Sequence, residues 1–269
     1  MKILFFGDVF GKPGREAVLL AIKTLRQKED PDFIIVNGEN MAHGRGLQPE
    51  MALEFFNAGV DIITTGNHAW DQSTIIPMME QDTRLLRPSN YPDSDSVQTP
   101  GRGVTVIKSR KSSTTTPLAV CQYMGRVFMD AIDCPFQKAD QEINQLREGG
   151  VNCIFIDFHG EASSEKQAFA NFMDGRASAV VGSHSHVQTA DERILPGGTA
   201  AITDVGMCGC FDSVIGVKKE TSIRKFLTKR PVKFEPATGP GGYGAVLVTL
   251  DEDSGRAKKI LRLREEVAS

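Results

Sequence analysis

Residues 1–40 read MKILFFGDVF GKPGREAVLL AIKTLRQKED PDFIIVNGEN. Residues 3–6 are a continuous apolar run, too short for a helix and closed by Gly7-Asp8. Residues 14–26 then set Val18, Ala21, Ile22 and Leu25 at helical spacing with charges between them. Residues 33–36 form a second apolar run, closed by Asn37-Gly38-Glu39-Asn40. Strand, helix and strand in this order predict a βαβ unit and a mostly parallel sheet.

The pattern repeats downstream. Residues 49–57 predict a helix, with Pro49 at an N-terminal position and Gly59 just past the end. Residues 60–64 predict a strand ending in Thr65-Gly66-Asn67-His68. A polar loop covers 89–103, and two strands, 104–107 and 118–123, flank a polar turn at 109–116. A helix at 135–147 leads to a strand at 153–158 that ends in His159-Gly160-Glu161. A Ser-capped helix at 163–173 follows, then a strand at 177–181 ending in Gly182-Ser183-His184-Ser185-His186. After Ile202 the chain reads as Gly-rich and irregular, closing in a hairpin of 243–250, a turn at 251–255 and 258–263. With no repeat, low-complexity tract or linker, residues 1–269 read as a single domain.

The chain has 269 residues, 40% of them hydrophobic and 24% charged, which is enough for a large core and excludes wholesale disorder. Its 31 basic and 34 acidic residues give a formal charge of −3, so nothing global favours nucleic acid or an anionic membrane. The N-terminal apolar run is too short for a signal peptide or a membrane span. With no export signal, the five scattered cysteines read as reduced thiols of a cytoplasmic protein.

Five predicted strands end in polar clusters: Asp8; Glu39 and Asn40; Asn67 and His68; His159; His184 and His186. Open α/β sheets bind ligands outside the carboxyl ends of their strands, so these clusters can share one rim. Carboxylate oxygen with imidazole nitrogen suits zinc, iron or manganese, and the lack of a Cys donor argues against a structural zinc. The donors are too many for one four-coordinate ion; two metals sharing a carboxylate would use them. In extended chain His184 and His186 face the same way, roughly 6.5–7 Å apart at Cα. That spacing can flank two metals ~3.5–4 Å apart, although His-x-His alone reads equally well as a solvated turn.

The ordered blocks Gly7-Asp8, Gly38-Glu39-Asn40, Gly66-Asn67-His68, His159 and Gly182 to His186 resemble the calcineurin-like metallophosphoesterases. That superfamily opens on Asp-x-His, where this chain has Asp8-Val9-Phe10, and its second carboxylate is Asp, where this chain has Glu39. These departures resemble one bacterial branch, the YmdB-like 2′,3′-cyclic-nucleotide 2′-phosphodiesterases. Further matching segments are residues 7–15, 37–46, 174–182, 187–191 and 202–206, so the resemblance covers nearly the whole chain.

The resemblance implies a four-layer α-β-β-α sandwich with the site at the carboxyl ends of the strands. It implies two metal ions, iron or manganese, with zinc left open. Asp8 and His186 would hold the first, with Asn40 in place of the missing His; Asn67, His159 and His184 would hold the second; Glu39 would bridge. His68 would be catalytic and not a ligand. On that scheme a metal-bridging hydroxide attacks phosphorus in line while His68 protonates the departing sugar oxygen. The resemblance also implies the substrate, a small cyclic nucleotide, with 2′,3′-cyclic AMP opening to 3′-AMP. Read alone, His68 serves equally as a hydrogen-bond donor to phosphate.

Other residues carry weaker signals. His43 and Arg45 lie in a Gly-rich loop and are candidate substrate contacts, or simply solvated. Asp71 either orients His68 or caps a helix at Ser73, and Trp70 either stacks a nucleobase or packs in the core. Cys208-Gly-Cys210 lacks the spacing of a metal or redox motif. Residues 218–225 make a basic stretch that reads as a solvated helix face. Competing functions are a phosphomonoesterase or 5′-nucleotidase on the same metals, and a regulatory binding protein with a vestigial site. The sequence leaves a homo-oligomer open.

Overall fold

The computed structural model describes residues 1–94, 98–111 and 115–267. Residues 95–97 of the expected loop and 112–114 of the expected turn lie outside the described residues.

The opening unit forms as its pattern predicts. Strand β1 (Lys2–Phe6) runs into a two-residue strand β2 (Asp8–Val9), then helix α1 (Gly11–Glu29) and strand β3 (Phe33–Asn37). Helix α1 starts three residues before the expected 14, because Pro13 is tolerated in a first turn where its missing N–H has no partner to lose. Helix α2 (Pro49–Asn57), strand β4 (Ile62–Thr64), a 3-10 turn (Ser73–Ile75) and helix α3 (Ile76–Gln81) follow. β1, β3 and β4 pair in parallel.

The second unit repeats the theme. Strands β5 (Val104–Ile107) and β6 (Leu118–Met124) are antiparallel, then helix α4 (Pro135–Glu148), strand β7 (Cys153–His159), helix α5 (Ser163–Phe172) and strand β8 (Ala179–Ser183) follow. Helix α5 begins where expected, but no side chain caps it: Ala162 occupies the cap position. Strands β9 (Arg193–Ile194) and β10 (Ala200–Ile202) complete this sheet in the order β5-β6-β7-β8-β10-β9, parallel from β6 to β10.

The stretch expected to be irregular contains strand β11 (Met207–Cys210), and the basic stretch expected as a helix face lies in helix α6 (Lys219–Thr228). The closing hairpin is present as strands β12 (Gly241–Leu250) and β13 (Ala257–Glu266), both longer than expected. β12 lies antiparallel to β1, so the first sheet runs β2-β11-β12-β1-β3-β4 with β13 also on β12. The result is a mixed α/β fold with two sheets and, among the described residues, six α-helices.

Period-two alternation in β1 assigns its two faces. Leu4 and Phe6 join Ile34, Val36, Val18 and Ile22 of α1, and Phe55 of α2 in one apolar cluster. Ile3 and Phe5 join Phe33, Ile35, Val120, Phe155 and Val181 in a second, between the sheets. The other faces of β6 and β7 pack Tyr123, Ile156 and Phe158 against Ile143 of α4 and Phe169 of α5. Burial on both faces explains why these strands read as continuous apolar runs. No described helix is long and apolar enough to cross a membrane.

Candidate metal and catalytic site

The carboxyl ends of β1, β3 and β4 in one sheet, and of β7 and β8 in the other, open on one cavity. Its volume is about 430 Å³, and Glu39, Asn40, His68, His184 and His186 are among its lining residues. At its base, two groups of side chains have donor atoms all within 4.8 Å of one another: Glu39, His159 and His184, and Asp8, Glu39 and His186. Glu39 belongs to both.

His159 Nε2 is the most crowded atom. It has Asn67 Oδ1 at 3.0 Å, His184 Nδ1 at 3.0 Å and Glu39 Oε2 at 3.2 Å. His186 Nε2 faces Asn40 Oδ1 at 3.2 Å. Asp8 Oδ2 accepts the His184 backbone N–H at 3.1 Å, while Asp8 Oδ1 is buried with no hydrogen-bond partner. Phe10, where the superfamily motif has His, packs edge-on to His186 with ring centroids 5.5 Å apart. Gly66 allows the close approach, since a Cβ there would collide with Glu39 Oε2 and the His159 ring.

Electrostatics in this pocket are strained. Burial pushes the Asp8 carboxyl up to about 6, with Glu39 and Asp204 adding to the rise against His186 and His159. Burial and neighbouring His159 lower His184 to about 3. Burial opposes the charge on Glu39 and on His159, yet their mutual attraction wins, holding the carboxyl low and raising the imidazole. Two imidazole nitrogens 3.0 Å apart, two buried carboxylates and one orphaned buried oxygen are a donor set that cations would satisfy. The residues present therefore fit the pair of metals that the resemblance implies.

His68 lies outside both groups. It lines the cavity, its backbone N–H is 3.4 Å from Glu39 Oε2, and its Nδ1 is 2.9 Å from Asp71 Oδ2. Asp71 thus contacts His68, and the 3-10 turn at Ser73 has no side-chain cap. His43 and Arg45 are exposed on the cavity wall. Trp70 instead packs against the α1–α2 core, edge-on to Tyr91 with centroids 4.5 Å apart. Cys208 and Cys210 are buried in β11, and burial pushes the Cys208 thiol up, which leaves it inert. In the basic stretch, Lys218 and Lys219 pair with Glu235 and Asp212 at the surface.

A layer beneath the donors escaped the sequence reading. Ser183 Oγ lies 2.9 Å from His159 Nδ1 and donates to Asp157 Oδ1 at 2.6 Å. Asp157 Oδ2 accepts from Thr64 Oγ1 at 2.6 Å and Asn37 Nδ2 at 3.0 Å. This chain fixes the imidazole's orientation. Lys166 of α5 pairs with buried Asp204 at 2.5 Å, and Asp204 accepts the Ser185 backbone N–H at 3.0 Å. That pair backs the loop in which His184 and His186 adopt positive φ values of 104° and 64°. Glu161 Oε2 lies 3.2 Å from His184 Nε2. The visible signals were a carboxylate inside the apolar strand β7 and a lysine on the buried face of α5.

This architecture is structurally close to a phosphatase. A crystal structure of a novel phosphatase from Mycoplasma pneumoniae matches it with a TM-score of 0.90 at 33% identity, covering 99% of this chain and 93% of that one. A hypothetical protein from Thermus thermophilus matches with a TM-score of 0.89 at 39% identity, covering 99% of each chain. The family profile described as YmdB-like protein matches residues 4–263, and the chain belongs to that family. A Bacillus subtilis relative, the 2′,3′-cyclic-nucleotide 2′-phosphodiesterase, is 46% identical over 263 residues, 98% of this chain and 96% of the relative.

Proposed function

We propose that this chain is a dinuclear metal-dependent phosphodiesterase that opens 2′,3′-cyclic nucleotides, converting 2′,3′-cyclic AMP to 3′-AMP. The observation that carries the reading is the pair of donor groups sharing Glu39. The named activity of the Bacillus subtilis relative supports the substrate class. Asp8, Asn40 and His186 would hold one ion, Asn67, His159 and His184 the other, and Glu39 both. Iron or manganese suits these oxygen and imidazole donors, and zinc would also fit. Bound there, such ions supply Lewis acidity toward phosphate oxygens and a nucleophilic water near neutral pH.

The chain's own residues do the remaining work. His68 turns Nδ1 to Asp71, which leaves Nε2 to serve the departing sugar oxygen. The Asp71 carboxylate on Nδ1 fixes the orientation of the ring. His43 and Arg45, on the cavity wall, are placed to meet the phosphate or sugar of the substrate. The three apolar clusters support a four-layer α-β-β-α arrangement working as one unit over residues 1–269. The five free cysteines accord with a reducing, cytoplasmic setting.

The test is product analysis: metal-loaded protein is incubated with 2′,3′-cyclic AMP and the products are resolved against authentic 2′- and 3′-AMP. The expected product is 3′-AMP, formed faster than a simple monoester is hydrolysed. Exclusive 2′-AMP would reverse the regiochemistry, and hydrolysis of monoesters alone would replace the diesterase with a phosphatase.

A further inference from the structure

The cavity above the donors is two-sided in character. Its floor is the polar group already described, but one wall is apolar, made of Val214, Ile215, Val217, Phe226, Phe234 and Pro236. Its volume of about 430 Å³ lies within the roughly 300–1,000 Å³ range of small-molecule sites, more than a phosphate alone requires. Helix α6 buries only Ser222, while Ile223, Phe226 and Leu227 are exposed. Phe226 is 70% exposed and Phe234 50%, although both line a cavity next to buried donors.

This wall is built and anchored. Val214 and Val217 exchange backbone hydrogen bonds of 2.9 and 3.0 Å, and the Ala237 N–H donates to Gly216 O at 2.8 Å. Ile215, a β-branched residue, is held at φ 48°, a conformation such side chains rarely adopt. The strained residue's carbonyl oxygen lies 2.9 Å from His186 Nδ1. The apolar wall is thereby tied to the phosphate end of the site, which is how backbone strain at a ligand clamp is normally maintained.

We propose that this wall is the nucleobase subsite: the base of the substrate stacks on Phe226 and Phe234 while its phosphate sits over the Glu39 groups. The proposal rests on the cyclic-nucleotide reading and adds the residues that recognise the nucleoside. Aromatic rings bind bases through their faces, which gives affinity with little dependence on base identity. Both phenylalanines are half-exposed or more, so truncating them leaves the three apolar clusters intact.

The test compares metal-loaded wild type with Phe226→Ala and Phe234→Ala by calorimetry, using 3′-AMP and the base-free analogue ribose 3-phosphate. Wild type should bind 3′-AMP about tenfold more tightly than ribose 3-phosphate, the usual worth of a base–aromatic stack. Each variant should lose most of that advantage and bind ribose 3-phosphate as before. Turnover should follow, with KM for 2′,3′-cyclic AMP raised about tenfold and kcat nearly unchanged. Equal wild-type affinity for the two ligands, or equal weakening of both in the variants, overturns the subsite. So does an oligomer that dissociates in Phe226→Ala with binding of both ligands unchanged, which would make the wall a contact between copies. A wild type that prefers 3′-AMP yet does not open the cyclic diester would sink the diesterase reading and leave the subsite standing.

Discussion

The two sheets bring different chemistry to one rim. The ends of β1, β3 and β4 present oxygens: the carboxylates of Asp8 and Glu39 and the amide oxygens of Asn40 and Asn67. The ends of β7 and β8 present imidazoles: His159, His184 and His186. Neither half is a satisfactory site alone, since the first crowds buried negative charge and the second crowds nitrogens. Oxygen meets imidazole at the centre by crossing from one sheet to the other, as in Asn67 to His159 and Asn40 to His186. The polar layer beneath crosses too, because Asp157 of the second sheet accepts from Thr64 and Asn37 of the first. The centre is therefore a product of docking two sheets, and metals bound there would staple them.

The largest expected effect comes from removing the residue common to both groups. Glu39→Ala should deplete both metals and reduce diesterase activity to background, read by metal analysis alongside turnover. A variant that keeps both ions would overturn the proposed bridging by Glu39. Next is His68, which lies in the turn after β4 and belongs to neither group. His68→Ala should keep its metal and lose roughly 10²–10⁴-fold in kcat, the usual worth of a positioned acid. Diesters with a leaving group that departs unprotonated, such as p-nitrophenolate, should suffer less. Loss of metal together with activity would reassign His68 as a ligand.

Much of this rim was legible in sequence, because apolar runs buried on both faces end abruptly in residues that have no structural business there. Asp8, Glu39-Asn40, Asn67-His68, His159 and His184-x-His186 all interrupt such runs. Of the region 205–236, only the basic stretch 218–225 was legible, as the solvated helix face it forms in α6. Strand β11 is four residues with a glycine, paired to segments nearly 200 residues upstream and about 30 downstream, and no local pattern encodes that. Helix α6 has apolar residues at helical spacing, but they face solvent and the cavity in place of a core. Asp157, a charge inside an apolar strand, was passed over, because its partners Asn37, Thr64 and Ser183 come from three other strands.

The supporting residues should give smaller effects that still separate the sheets. Lys166→Met leaves Asp204 buried without its cation, which should cost about 3–5 kcal/mol of stability by denaturant unfolding. An unchanged unfolding midpoint would mean that the loop carrying His184 and His186 does not depend on that pair. Ser183→Ala should weaken metal binding about 10–100-fold through a loosened His159, with the fold retained. Equal affinity in the variant would show that the His159 ring is oriented by its other contacts alone.

The most direct measurement is anomalous diffraction from crystals of the protein grown with manganese. Two metal peaks ~4 Å apart are expected, with Glu39 reaching both, His186 on one and His159 and His184 on the other. A single fully occupied peak, or a pair that leaves Glu39 or His159 unbound, would contradict this arrangement.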